Sequence, residues 1–348
     1  MAALYGIMGL ADVRNMTVQS LGQRQVFDAV TTLLAQYNQD LADMTAFFVE
    51  STTEEVQITY MMPGGGEMQD SNEWSRPGAV RPPAGYPVGF EIKDARDQVA
   101  WNDVSLAYAT VEVVQAAVDN IMIRHTNWVR RNLLRAVLNN VNRTTLDPQF
   151  GSVTVKPLAN GDTDVYSMYG AAMATDNHYI ASNMASISDV NNPFPAYYDE
   201  IAEHVGDSTV VALVHPTQSA QIKAMAGFIE VADSRIRVNE GVEAIAPGVS
   251  VPGNIIGLLG NVWISEWRGM IAGYTFVRNM DAPAPLLKRI DRVPLAGRGE
   301  LALVATQTEQ PFIESFWRDR HGYGAANRIG AVVGQITGAA YVIPAGYA

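Results

Sequence analysis

Residues 104–143, VSLAYATVEVVQAAVDNIMIRHTNWVRRNLLRAVLNNVNR, decide how the rest of the chain is read. Val111, Val114, Val118, Ile121, His125, Val129, Leu133, Ala136 and Val141 recur at three- and four-residue steps, the spacing of one apolar helix face. Glu112, Asp119 and Arg130 fall roughly opposite. Asn102 or Asp103 can cap the N-terminus. Acids sit in the first half, and Arg130, Arg131, Arg135 and Arg143 crowd the second, the order that the helix dipole favours; Pro148 follows the end. The stretch predicts one helix of about 38 residues, roughly 55 Å long, against a usual length of about 11–12 residues. A helix of that length is a beam along which other elements must be laid.

Working outward toward the N-terminus, residues 88–101 read as strand, and residues 63–89 are rich in proline and glycine with few apolar anchors. Residues 46–62 are strand-like, with alternation at Val56, Ile58 and Tyr60. Together, residues 53–100 predict a long two-stranded excursion with an irregular tip. An insertion of that size with little core of its own must lie on something else, such as another subunit. Residues 24–44 predict a helix with Val26, Val30, Leu33, Leu34, Tyr37 and Leu41 on one side, and residues 1–22 an extended arm. Toward the C-terminus, residues 153–165 read as loop and short strand, and residues 166–181 suit more than one structure. Residues 194–205 predict a helix, and VVALVHP (210–216) a buried strand leading into a helix over residues 218–225. Residues 226–253 read as irregular. Strands are expected over 255–265, 269–278, 301–308, 312–318 and 339–343, with 283–294 as a connector.

The chain has 348 residues, a formal net charge of −12, 48% hydrophobic and 17% charged residues. That length suits about two domains, and a sparsely charged surface suits a subunit that buries much of itself against neighbours. The acidic balance argues against sequence-specific nucleic-acid binding, which uses a basic patch or stripe; the only dense basic cluster is on the long helix. With no cysteine there is no disulfide and no thiolate chemistry. The N-terminus lacks the basic start and apolar run of a signal peptide, and no run reaches 18 apolar residues, so no membrane association is expected. Only four lysines occur, Lys93, Lys156, Lys223 and Lys288, the remaining basic residues being arginine, which holds planar polar contacts better.

No catalytic, cofactor or metal site is signalled. His125 falls on the apolar stripe and reads as a hydrogen-bonded core residue. His321, in RDRHGYG beside Arg318, Asp319 and Arg320, has no nucleophile or orienting partner marked in sequence and reads as part of a polar network at a subunit boundary. His215 ends a strand before Pro216, and no Gly-x-Ser-x-Gly elbow accompanies it. The five histidines show no His-Glu-x-x-His spacing. Gly64–Gly66 lacks the Lys-Ser/Thr ending of a phosphate loop, and GYGAAN at 322–327 lacks the third glycine of the dinucleotide fingerprint. Arg130, Arg131 and Arg135 can meet acids of a neighbouring subunit or, more weakly, phosphates of packaged DNA.

The order of arm, helix, long hairpin, beam helix, second helix, βα unit, paired strands and closing strands resembles the major capsid protein of tailed bacteriophages, with the Hong Kong 97-like fold, an α+β architecture. GNIIGLLGNVWISEW is similar to that family's strand-turn-strand element, VVALVHPTQSAQIKAM to its entry into the axial domain, and FIESFWRDRHGYGAANRIGAVVGQITGAAYVIP to its last peripheral strands. The resemblance implies an N-arm over 1–52, an extended loop over 53–100, a peripheral domain over 101–206 and 306–348 with the long helix as spine, and an axial domain over 207–305. It implies a non-enzymatic shell protein assembled in a host cytoplasm into hexamers and pentamers of an icosahedral virion, with a portal, double-stranded DNA inside and, in some shells, a decoration protein. Some 50 residues before the extended loop are too few for a fused scaffold, and a start at Met1 leaves no cleaved propeptide, so a separate scaffolding protein is expected. Some members crosslink a loop lysine to a neighbour's asparagine, for which Lys93 and Asn327 are the conceivable pair. An encapsulin-type nanocompartment holding cargo enzymes is the alternative within the same fold.

Overall fold

The computed structural model describes residues 13–59, 68, 70, 73–74, 86–147, 149–159, 163–231, 250–306 and 314–348. In chain order these form α1 (Val18–Leu21), α2 (Gln23–Ala46), β1 (Val49–Thr52), β2 (Val56–Thr59), β3 (Tyr86–Gly89), β4 (Lys93–Ala100), α3 (Asp103–Tyr108), α4 (Val111–Leu138), β5 (Arg143–Asp147) and β6 (Gly151–Val155). There follow β7 (Val165–Met168), β8 (Ala171–Thr175), β9 (Tyr179–Ala181), α5 (Phe194–Val205), β10 (Val210–Val214), α6 (Pro216–Lys223), β11 (Phe228–Glu230), β12 (Asn254–Leu259), β13 (Val262–Glu266), β14 (Tyr274–Asn279), β15 (Leu286–Ile290), β16 (Ala302–Thr306), β17 (Glu314–Ala325) and β18 (Ala331–Gln335). Most of the tip of the expected excursion and all of residues 232–249 fall outside the described residues.

The chain divides into two compact units. The first takes Met1–Asp43, Ile92–Arg131 and Arg289–Gly322; the second takes Met44–Glu91, Asn132–Lys288 and Tyr323–Ala348. The boundary at 206–207 expected from sequence therefore falls inside the second unit.

In the first unit, α2 and α4 pack through the faces that their periodicity marks. Val26, Val30 and Leu34 of α2 meet Val111, Val114, Val118, Ile121 and Met122 of α4, with Leu106, Leu301 and Trp317 completing the core. Full burial of a Val or Leu side chain is worth about 1.5–3 kcal/mol, so this apolar seam is the main source of the unit's stability. The first half of β17 pairs antiparallel with β4 and with β16.

The beam is shorter than expected, and it is broken. Asn102 caps α3, its Oδ1 accepting from Val104 N at 2.9 Å, but Ala109 is extended (φ −63°, ψ 138°) and α4 restarts at Val111. The cause is tertiary. The N-terminal segment crosses the break: Val18 N donates to Ala109 O, while Val111 N and Glu112 N donate to the carbonyls of Met16 and Arg14. These carbonyls satisfy first-turn N–H groups that otherwise lack partners. Residues 13–21, expected as an extended arm, are thus turns and a short helix with Val13 and Val18 buried. At the other end α4 stops at Leu138, where Asn139 Oδ1 accepts from Val141 N at 2.8 Å in a local turn that competes with helix. Val141 is exposed and off the helix, and Arg143 begins β5. The 28 residues of α4 still span about 42 Å.

In the second unit, a seven-stranded sheet has the order β11-β12-β13-β10-β14-β18-β9. Its centre, β10, is apolar and buried throughout, as a strand covered on both faces must be. Val210, Ala212 and Val214 face Phe194, Tyr197 and Ile201 of α5 and Ile222 of α6. Val211 and Leu213 face Leu133, Leu134 and Val137 at the end of α4, together with Phe47 and Phe48. A Cβ at Gly334 of β18 would lie 2.2 Å from the Tyr197 ring, so glycine at this position lets α5 sit close on the sheet. Two expectations fail here. The connector 283–294 contains β15, and residues 339–343 carry no strand, the closing strand being β18. The β2–β3 pair does form the base of the expected hairpin, with Val88 buried.

Candidate interface residues and two buried histidine clusters

β17 alternates. Ser315, Trp317, Asp319 and His321 point inward, while Arg318 and Arg320 point outward, the period-two pattern of a strand. Inside the first unit, Asp319 Oδ2 lies 2.7 Å from His125 Nε2 and 2.8 Å from His321 Nδ1. His125 Nδ1 lies 2.8 Å from the Tyr37 hydroxyl, and the Trp128 ring meets His321 edge-on at 4.8 Å. Burial acts to raise the Asp319 pKa, but the hydrogen bonds and charges of the two imidazoles outweigh it and hold the carboxyl well below the usual range. Asp319 and His321 are each about 1% exposed, which corrects their placement at a subunit boundary: they are core residues of this chain. His125 is a hydrogen-bonded core residue, as its place on the stripe predicts.

The outward arginines have intrachain acids. Arg318 grips Asp94 through Nε and Nη2 at 2.8 and 2.9 Å, a bidentate pair, and Arg96 reaches the same carboxylate. Arg320 pairs with Asp291 at 3.2 Å. On α4, Arg130 reaches Asn127 of its own helix, at 3.3 Å, and Arg131 is exposed. Arg135 is half-buried within the second unit, where Arg143 pairs with Glu91. Lys93 opens β4 opposite His321, and Asn327 donates to Pro283 O at 3.1 Å. His215 caps α6, its ring accepting from Thr217 N.

A second cluster went unseen in the sequence. The turn between β8 and β9 carries Asp176 and His178, and α5 carries Glu200, Glu203 and His204. His178 and His204 are 26 positions apart, yet their ring centroids are 5.4 Å apart. His204 Nδ1 lies 2.7 Å from Ser167 O, and Nε2 lies 3.0 Å from Asp176 Oδ2. Burial, then Asp176 and Glu203, push Glu200 up to about 8. The available signal was Glu-x-x-Glu-His, which puts three ligating side chains on one helix face, but its partner segment lies before it in sequence with no fixed spacing.

No protein-family model and no curated protein matches the sequence. Among solved structures, a chain of Mycobacterium phage Patience superposes with a TM-score of 0.69 at 19% identity, over 100% of this chain and 98% of that one. The two chains share one fold. A capsid chain of a native GTA particle follows at TM-score 0.48 and 9% identity, over 86% of this chain and 91% of that one. A capsid chain of Ralstonia phage GP4 scores 0.47 at 12%, over 84% and 86%. The Mycobacterium phage chain is close enough to carry the fold, in line with the resemblance read from the sequence. Among the described residues, no helix is long and apolar enough to cross a membrane.

Proposed function

We propose that the chain is a major capsid protein, a non-enzymatic subunit that assembles with copies of itself into hexamers and pentamers of an icosahedral shell around double-stranded DNA. The observation that carries the reading is the end-to-end fold match with the Mycobacterium phage chain. Exposed apolar side chains support it. Val104, Tyr108 (79% exposed) and Ile123 stand out from α3 and α4, and Leu146 (82%) from the β5–β6 hairpin. Apolar surface of this kind is what neighbouring subunits bury. The segments 1–52 and 53–100 act as the arm and extended loop that reach over adjacent subunits, and Arg130, Arg131 and Arg135 face a neighbour's acids or DNA phosphates. A separate scaffolding protein, a portal and a decoration protein are the further partners.

Expression of the full chain, gel filtration and negative-stain electron microscopy test this. Closed shells in the void volume are expected, either alone or after co-expression with the neighbouring genes. A small, monodisperse oligomer under both conditions would overturn the reading. Nucleic acid inside purified shells supports the capsid, whereas a co-purified enzyme supports the encapsulin alternative. Deleting residues 63–85 and sparing buried Val88 is expected to leave a soluble subunit whose shells dissociate at lower denaturant. A ladder of covalent multimers on denaturing gels, abolished by Lys93→Arg, would mark the Lys93–Asn327 crosslink.

A further inference from the structure

Asp176, His178 and His204 each place one ligand atom so that all three lie within 4.8 Å of one another, and Asp176, Glu200 and Glu203 do the same. Five ligating side chains therefore converge from two segments of the second unit. His178 and His204 are buried and Asp176 is partly so. The tautomer of His204 follows from its neighbours. A backbone carbonyl only accepts, so the Nδ1 atom at 2.7 Å from Ser167 O carries a hydrogen. In the neutral ring Nε2 then presents a lone pair to Asp176 Oδ2 at 3.0 Å, and two acceptors at that distance need a positive species between or beside them. A proton on Nε2 would neutralise one acid of three. The charges acting on Glu200 are Asp176, Glu203 and His204. A divalent cation answers both problems. It takes the Nε2 lone pair and the carboxylate together, and it balances the surplus acids.

We propose that Asp176, His178 and His204 bind one divalent metal ion of the zinc class, with Glu200 or Glu203 closing the coordination shell. Two imidazoles with carboxylates form a donor set that suits Zn²⁺ over Ca²⁺ or Mg²⁺, which prefer oxygen alone. Ligand atoms around a tetrahedral zinc lie roughly 3.3–3.5 Å apart, given bonds of about 2.0–2.2 Å. His204 Nε2 and Asp176 Oδ2 lie 3.0 Å apart, and all three ligand atoms lie within 4.8 Å of one another, so zinc would draw the wider-spaced ones inward. Nδ1–H donated to a backbone carbonyl is how a metal-bound histidine is commonly oriented. With four protein ligands and no open position the site is a structural brace: it pins the β8–β9 turn to the last turn of α5. This does not depend on the shell reading.

The test uses the full chain, stripped with chelator and dialysed into metal-free buffer. Titration with Co²⁺ alone is followed by visible absorption, then by Zn²⁺ competition and elemental analysis. One Co²⁺ per chain with the bands of a four-coordinate site, displaced by one Zn²⁺, is expected, together with a higher melting temperature in Zn²⁺. Asp176→Asn should weaken Zn²⁺ binding at least tenfold, and the double variant Glu200→Gln with Glu203→Gln, which removes both candidates for the fourth ligand, provides a second test should the first not fold. Wild-type protein that takes up no stoichiometric Co²⁺ or Zn²⁺ would overturn the proposal and leave His204 and Asp176 as a protonated ion pair. Undiminished binding in the folded variants would overturn it equally, by placing the ion elsewhere.

Discussion

Asp319 sits between two imidazoles, whereas His178 and His204 sit among three carboxylates, and the two buried clusters differ accordingly. In the first, one acid is served by two donors and is held strongly ionised. In the second, burial and then the charges of Asp176 and Glu203 push Glu200 up to about 8, while, against burial, the His204 hydrogen bond helps to hold Asp176 below the usual carboxylate range. Built from the same residue types, the first gives one acid two imidazole partners, and the second crowds three acids about two imidazoles. Histidine beside carboxylate is therefore no sign of function until the charges around the pair are counted.

The largest expected effect comes from breaking the complete cluster. Asp319→Ala strands His125 and His321 in the core, and removal of one partner of a buried pair costs about 3–5 kcal/mol. Urea unfolding at neutral pH measures it. The sign of the pH dependence follows from the depressed pKa. The Asp319 carboxylate adds stability that is fully present above the ordinary carboxylate pKa of about 3.9 and is lost as pH falls toward the folded value. Wild type and variant should thus converge in acid, and a constant gap down to pH 2 would show that Asp319 acts by packing instead. Next in size is Gly334→Ala, which drives a methyl into the Tyr197 ring and lifts α5, the helix that carries Glu200, Glu203 and His204. Overpacking of this kind costs about 1–3 kcal/mol. If the placement of α5 matters to the second cluster, the same variant also weakens Zn²⁺ binding, while the Asp319 cluster is untouched.

The sequence disclosed elements whose signal is local. The helix over 194–205 is α5 to the residue, and the apolar stripe of α4 is buried from Val111 to Ala136. What it hid depends on contacts distant along the chain. Ala109 and Thr110 both tolerate a helix, and only the carbonyls of Arg14 and Met16 reveal why the beam breaks there. β15 contains Lys288 and Arg289, so it reads as a polar connector, yet Arg289 is buried. Asp319 and His321 looked like surface polar residues because Arg318 and Arg320 flank them, but a strand sends neighbours to opposite faces. The His178–His204 meeting needs the β7–β8 hairpin and α5 to be in place, and no spacing rule encodes it.

A smaller effect sharpens the contrast from the other side. Glu200→Gln removes one of the three acids crowded around two imidazoles. In chelator-treated protein it should raise stability by on the order of 1 kcal/mol, once screening at this partly exposed position is allowed for. In Zn²⁺ the gain should shrink or reverse, since the cation then needs the charge. A gain that is the same with and without Zn²⁺ would mean that no cation enters the cluster.

The smallest effect lies one residue from the largest. Arg318 is the outward neighbour of Asp319, and its bidentate grip on Asp94 is the best-formed ion pair on the exposed face of β17. Burial acts to raise the Asp94 pKa, and the hydrogen bonds from Arg96 and Arg318 lower it more. Yet the two side chains are 19% and 30% exposed, and Arg96 shares the same carboxylate. Solvent screens the attraction, and Arg96 remains when Arg318 is removed. A double-mutant cycle over Arg318→Ala and Asp94→Ala should therefore return a coupling of about 1 kcal/mol or less, falling with added salt. That is well below the cost of Asp319→Ala, although both residues present charge from the same strand. A coupling in assembled shells much larger than in the free subunit would show that a neighbour dries this face, and would return Arg318 to the subunit boundary where its sequence context first placed it.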